Sequence, residues 1–339
     1  MVQVCPSDRG KACRETGLSM LEAHAVQCGK LVVPDSSVHC LFHRPSSAVG
    51  VRLHPEIFAV LLAQEKGALE VSDATDILSS WQRRRLDGVH KNKKDYGCGR
   101  DDVTVLAYYW GASADNEEAR FFRLESAFRE AWLHCGMMNS VIVTDKATKE
   151  VEDFARRFPA VEVQIEPTLV PGDLDSMSFD CDSRLYRRFG TKYLMIIQDD
   201  GFPLRSGIDE FLGEFDFIGA PYIRDRFLPR LFARLFNLWT ANGGFSIRTH
   251  RMCEMAAHYW REKYCNFKGD VHWLGEDAYY TETLLKHEWR YNRTMKMADN
   301  RTALKFAYDI IVPQPIKDLP FGFHRAETFV EFVKRGWVV

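Results

Sequence analysis

"YLMIIQDDGFPLR", residues 193–205, starts as an unbroken apolar run and then breaks into two carboxylates and a glycine. A short run of this kind, without polar alternation, fits a strand buried on both faces, the type found in parallel sheets covered by helices. The residues just past the strand raise the functional question. A single Asp there is an ordinary turn former. Asp199 and Asp200 together, with Gln198 before and Gly201 after, also offer hard oxygen ligands on a rigid strand end. A divalent cation bridging a diphosphate needs such ligands, and the glycine leaves room for phosphate oxygens. The plain alternative is a strand-end turn.

Upstream, strand-like and helix-like segments alternate from Val103 onward. "VTVLAYYW" (103–110) reads as a strand and "NEEARFFRLESAFREAWLHCG" (116–136) as an amphipathic helix closed by Gly136. "SVIVTD" is a second strand, "KATKEVEDFARRF" a helix and "VEVQIE" a third strand. A Pro/Gly/Asp-rich loop and a helical "CDSRLYRRFG" precede the opening strand. This spacing implies right-handed βαβ crossovers and a mostly parallel, Rossmann-like α/β sheet flanked by helices. Ligands collect at the carboxyl ends of such strands, so "YYW" and "QDDG" should face one crevice.

Downstream, strict alternation stops. "FDFIGAPY" and "NGGFSIRT" read as strands, and "HRMCEMAAHYWREKY" and "GEDAYYTETLLKHEW" as helices; "FGFHRAETFVEFV" ends the pattern. Gly243 and Gly244 would allow close backbone approach by a ligand, or mark a β-bulge. Glu276 and Asp277 stand at a helix start, where carboxylates complement the dipole, though one at a cleft mouth could also take a proton from a hydroxyl. His324 lies among apolar residues, where a satisfied core imidazole is the commoner case.

Upstream of residue 100, "HPEIFAVLLAQEKG" and "SDATDILSSWQRRRL" read as helices, and "DGVHKNKKDYGCGRDD" as a polar linker. The expected division is a separate, mainly helical region at 1–100, with no assigned role, and an α/β domain at 101–339.

Bulk composition narrows the class. The 339 residues are 46% hydrophobic and 27% charged, as in a soluble globular protein, and 45 basic against 47 acidic residues give a net charge of −2. No basic excess points to nucleic acid. Nine cysteines are scattered without a zinc-type knuckle. The odd count and the lack of an apolar leader favour reduced thiols and a cytoplasmic location. No apolar run approaches the roughly 20 residues of a membrane helix. "RDRFLPRLFARLFNLW", residues 224–239, is basic and amphipathic; it reads as a helix covering the sheet or as a peripheral contact with an anionic membrane.

Each motif is weak alone, but their order is informative. "IIQDDGF", "DFIGAPY", "NGGFSIR", "EDAYYTETL" and "FGFHRAE", in that order, resemble an uncharacterised domain family related to the GT-A glycosyltransferases. The resemblance covers roughly residues 103–330. It implies glycosyl transfer from a nucleotide-sugar to an acceptor hydroxyl on a GT-A-like domain, with manganese or magnesium on the donor diphosphate.

Carried over residue by residue, the resemblance makes Asp200 the second Asp of the metal motif. Gln198 stands where the first would be, so either Asp199 compensates or metal binding is weak or absent. Asn242, Gly243 and Gly244 match the segment flanking donor and acceptor sugars. Asp277, with Glu276 beside it, matches the base of inverting relatives, and His324 a C-terminal metal or diphosphate ligand. Tyr108, Tyr109 or Trp110 would stack on the nucleobase. The expected partners are a nucleotide-sugar donor and a glycan, lipid-linked or small-molecule acceptor. The competing expectations are a non-catalytic sugar-nucleotide or glycan-binding module and a metal-dependent nucleotidyltransferase. Against the latter, "YYWGASADNEEAR" is acidic and lacks a glycine-rich phosphate loop.

Overall fold

Strands and helices alternate as the sequence predicts, and the strands build a six-stranded, mostly parallel sheet. The structure, a computed structural model, describes residues 71–91, 96, 99–109, 117–222, 240–264, 275–281, 294–310 and 316–338. Helix α1 (Val71–Arg85) runs into a π-helical turn, Leu86–His90, ahead of strand β1 (Arg100–Tyr108). Helix α2 (Glu117–Cys135), strand β2 (Met138–Thr144), helix α3 (Lys149–Arg157) and strand β3 (Val161–Ile165) follow. Next come helix α4 (Leu174–Ser183) and strands β4 (Tyr193–Ile196), β5 (Phe217–Tyr222) and β6 (Thr240–Thr249). Helix α5 (His250–Tyr264), the single turn α6 (Glu276–Ala278) and helix α7 (Asn300–Phe306) lead into strands β7 (Ala307–Asp309) and β8 (Gly322–His324). Helix α8 (Ala326–Lys334) closes the order.

The sheet order is β3-β2-β1-β4-β6-β5. The pairs β3–β2, β2–β1 and β1–β4 are parallel, whereas β6 runs antiparallel to both β4 and β5. The α/β, Rossmann-like fold class follows from this arrangement. Successive residues of a strand face opposite sides, and the two cores show it. Val103, Val105 and Ala107 join one hydrophobic cluster with Met195 and Ile197, while Leu106, Leu194 and Ile196 join the other. The apolar run of residues 193–197 is continuous because both faces of β4 are covered. Trp132 of α2 stacks on Phe154 of α3 at 5.8 Å, filling the layer over β1 and β2. Gly136, at φ 83°, ends α2, where a left-handed residue lets its N–H bond back to the Trp132 carbonyl at 2.9 Å.

Two local readings are corrected. The helix before β4 starts earlier than expected, inside the stretch read as a loop, because the Asp173 carboxylate accepts from the Asp175 N–H at 3.0 Å and caps it. The expected "CDSRLYRRFG" helix is instead the end of α4 followed by a short 3-10 turn, Leu185–Arg187. The polar linker begins as the π-helical turn, and it buries His90 completely and Tyr96 almost so. Its polarity serves the interior: His90 Nε2 lies 2.8 Å from the buried Glu130 carboxylate, which also receives Arg85 at 2.6 Å and His134 at 3.3 Å. Helix α1 packs Ala74, Leu78 and Trp81 into the core of the α/β sheet. The segment "HPEIFAVLLAQEKG" and residues 224–239 lie outside the described residues. Among those described, no helix is long and apolar enough to cross a membrane, and Cys135, Cys181 and Cys253 are free buried thiols.

Candidate functional site

At the carboxyl ends of β1 and β4 lies a cavity of about 580 Å³. Its wall includes Tyr108 and Tyr109 after β1, Gln198, Asp199 and Asp200 after β4, Gly243 and Gly244 of β6, and Glu276 of α6. Segments far apart in sequence thus converge on one crevice. Thr75 of α1 and Arg123 of α2 also line it, although no local motif marks either. Among the described lining residues the charged groups are Arg123, Asp199, Asp200 and Glu276, so the cavity is acidic on balance. Trp110 lies outside the described residues. Asn242, Asp277 and His324 stand behind the wall or beside it.

The turn after β4 is tight. Gln198 and Gly201 exchange backbone hydrogen bonds at 2.8 and 3.1 Å, which leaves Asp199 and Asp200 as its two central residues. The Arg325 N–H donates to the Asp200 carbonyl at 2.7 Å. The two carboxylates have different fates. Asp199 pairs with Arg123 at 2.7 Å. Asp200 makes no side-chain hydrogen bond or ion pair among the described residues.

The small β7–β8 sheet backs this turn. Its register sets Asp309 beside His324, and His324 Nδ1 lies 3.0 Å from the Asp309 carboxylate. The other ring nitrogen lies 3.0 Å from the Gln198 side-chain oxygen. Both nitrogens face oxygens, an environment that suits the doubly protonated ring. Burial works against that charge, but the bond to Asp309 and the nearby Asp200 charge outweigh it and hold the His324 pKa above its ordinary value. Asn242 ties the same assembly together, donating to Asp309 at 3.3 Å and accepting from the Gly244 N–H at 2.7 Å.

The glycine pair makes room mainly for the protein's own polar groups. A Cβ on Gly244 would stand 2.5 Å from both the Gln198 oxygen and His324 Nε2. A Cβ on Gly243 would stand 2.0 Å from Glu276 Oε1 and 2.6 Å from an Arg248 nitrogen. Each glycine therefore admits one polar pair against the strand.

Arg248 is fully buried, its guanidinium 4.3 Å from the Tyr280 ring centre and 5.1 Å from that of Phe217. It approaches Glu276 at 3.5 Å, while its Nη1 has no hydrogen-bond partner among the described residues. The Glu276 side chain is 14% exposed and borders the cavity. Burial and the neighbouring Asp277 charge raise its pKa against the pull of Arg248. Asp182, behind it, is a buried carboxyl whose pKa burial pushes far up. Asp277 makes a different use of its charge: its Oδ1 accepts from the Ala278 N–H of its own helical turn.

On the opposite wall, the Tyr108 hydroxyl donates to the buried Asp180 at 2.8 Å. Arg188 grips Asp180 through two nitrogens, at 2.5 and 3.1 Å, and reaches Glu166 at 2.6 Å. Arg248 and Asp309 had a legible signal, since each is a charge inside an apolar strand and such charges are seldom buried unless paired. Arg123 and Thr75 had none.

The expected metal can be tested against these contacts. His324 has no nitrogen lone pair to offer without giving up Asp309 or Gln198, and Asp199 is engaged by Arg123. Among the described residues, no group of three or more His, Cys, Asp or Glu side chains is arranged to hold a metal ion. The residues suit a cation of the kind held by one carboxylate, Asp200, together with substrate phosphates. They do not suit an all-protein cage.

Residues 164–324 match a family model described as "Protein of unknown function (DUF5672)". No curated protein matches the chain. Among solved structures, the chain is similar to the mannosyltransferase PcManGT of Pyrobaculum calidifontis in complex with GDP-mannose and Mn2+. That match has 14% identity and a TM-score of 0.34, covering 71% of this chain and 65% of the other. It is also similar to the apo-form glycosyltransferase GlyE of Streptococcus pneumoniae TIGR4, at 11% identity and a TM-score of 0.38, over 66% of this chain and 54% of that one.

Proposed function

We propose that the α/β unit is a GT-A-like glycosyltransferase domain that binds a nucleotide-sugar in the 580 Å³ cavity and transfers the sugar to an acceptor hydroxyl. One observation carries the reading. An aromatic pair, an acidic strand-end turn, a glycine pair and a partly buried carboxylate, all distant in sequence, meet at the carboxyl ends of parallel strands. Tyr108 and Tyr109 supply the wall for the base. Asp200 is the residue to hold Mn2+ or Mg2+ jointly with the donor phosphates, and such an ion, when bound, offsets charge on the leaving diphosphate. The acidic cavity fits this, because a diphosphate entering it alone would meet like charge.

Glu276 is the better placed base. It borders the cavity and its pKa is raised, whereas Asp277 bonds its own helical turn. Glu276 takes the proton of the acceptor hydroxyl as that oxygen attacks the anomeric carbon, and Arg248 stabilises the carboxylate beforehand. The course is inverting in this reading, and the acceptor is a glycan, a lipid-linked sugar or a small molecule.

The decisive experiment is a panel of UDP-, GDP- and dTDP-sugars scored by thermal shift with and without Mn2+, since a ligand that binds the native state raises its stability. One donor should raise Tm, more so with Mn2+. No shift with any donor would sink the reading. Binding without turnover would favour a sugar-nucleotide-binding module, which the occupied Asp199 and His324 also suit.

A further inference from the structure

We propose that Gln82 is a positioning residue for this site: from helix α1 it fixes the turn that presents Asp199 and Asp200. The Gln82 side chain is fully buried, and its Nε2 donates to the Asp199 carbonyl at 2.8 Å and the Arg123 carbonyl at 3.3 Å. Its Oε1 is buried with no partner among the described residues. An amide kept in the interior with an unsatisfied acceptor is costly, so its value lies on the donor side.

The two carbonyls that accept from it belong to the two partners of one ion pair, Arg123 and Asp199. Gln82 therefore fixes the main chain on both sides of that pair. With Asp199 held, Asp200 is the carboxylate left for a ligand. Helix α1 does not depend on this bond for its own attachment. Trp81 packs on Phe329 at 5.0 Å, and Arg85 is clamped to Glu130. Gln82 and Arg123 both lie outside residues 164–324, the stretch matched by the family model. The site thus depends on a helix from the part of the chain to which the sequence assigns no chemistry.

Only the identity of the ligand rests on the glycosyltransferase reading, so two measurements are made on the whole chain. Hydrogen exchange of residues 198–201 reads the turn directly. Calorimetry with GDP and with UDP, each with Mn2+, reads its use. Gln82→Met keeps the stem and removes the donor; Gln82→Leu serves if the first variant fails to fold. Leu78→Ala, which removes a core side chain of the same helix and no hydrogen bond to the turn, is the stability control. The expected result is faster exchange in the turn and a roughly 10–100-fold weaker nucleotide affinity, the range for losing a partner that orients a ligating group. Leu78→Ala should lower Tm at least as far and leave affinity unchanged. Unchanged exchange at the turn overturns the proposal, as does an affinity loss no greater than that of Leu78→Ala. If the wild type binds neither nucleotide, the donor panel alone judges the functional reading, and the exchange measurement alone decides the role of Gln82.

Discussion

Glu130 and Glu276 are both largely buried glutamates beside an arginine, yet their surroundings drive them in opposite directions. Glu130 is gripped by Arg85 at 2.6 Å, His90 at 2.8 Å and His134 at 3.3 Å. Burial favours its neutral form, but those hydrogen bonds win and its pKa falls far below the ordinary value. Glu276 has Arg248 only at 3.5 Å and Asp277 next to it, so burial wins and its pKa rises. A buried carboxylate with every oxygen satisfied holds helices together. One left under-satisfied at a cavity wall is a group that can take up a proton. The first binds α1 to α2, and the second borders the crevice.

The largest expected effect tests the second role. Glu276→Gln should lower turnover by roughly 10²–10⁴-fold, the usual contribution of a general base, while leaving Tm equal or higher. Near-normal turnover with Asp277→Asn inactive would reverse the assignment. Next, Glu130→Ala should cost about 3–5 kcal/mol in denaturant unfolding, because it leaves Arg85 and two histidines around an uncompensated hole. A cost under about 1 kcal/mol would mean that the two glutamates do not differ as described.

A smaller effect is expected from Gly243→Ala. Its new Cβ collides with Glu276 Oε1, and the strain should cost about 1–3 kcal/mol and lower activity with it. Full activity at wild-type stability would show that Glu276 can leave the strand freely.

The smallest effect is a slope. Glu130 ionises more easily when folded than its ordinary 4.5, so its stabilisation is complete above that pH and is lost as pH falls through the depressed native value. Glu276 has the opposite sign: its raised native value gives stability in acid that is lost as pH rises from 4.5 through that value. Each group can contribute a slope of at most about 1.4 kcal/mol per pH unit. Unfolding free energies measured against pH should therefore flatten below pH 4.5 in Glu130→Ala and above pH 4.5 in Glu276→Gln. A profile unchanged by either substitution breaks the comparison.

The parallel half was legible because its signals are local. Apolar runs such as 193–197, a terminating Gly136 and amphipathic 117–135 each report one element, and alternation then dictates the sheet. The cavity wall was legible where chemistry interrupts a strand, as at Asp199, Asp200, Gly243 and Gly244. It was not legible where a side chain acts across a long sequence gap. Gln82 and Asp199 are 117 residues apart, and Gln198 and His324 are 126 apart. No periodicity encodes such contacts, because burial depends on tertiary packing that a local pattern does not contain. The burial inside the expected linker was hidden for the same reason: His90 is polar in sequence, but its partner Glu130 lies on another helix.

The Tyr108 wall has one more consequence, in entropy rather than contact. The tether from its hydroxyl to Asp180, and on through Arg188 to Glu166, means that this ring has surrendered its rotamers before any ligand arrives. Ordering a side chain on binding costs about 0.5–1.5 kcal/mol, and here folding has already met that cost. A planar ligand stacking on this wall should therefore bind with a small entropic penalty. Cutting the tether with Tyr108→Phe would move that penalty back into the binding step, where calorimetry can read it.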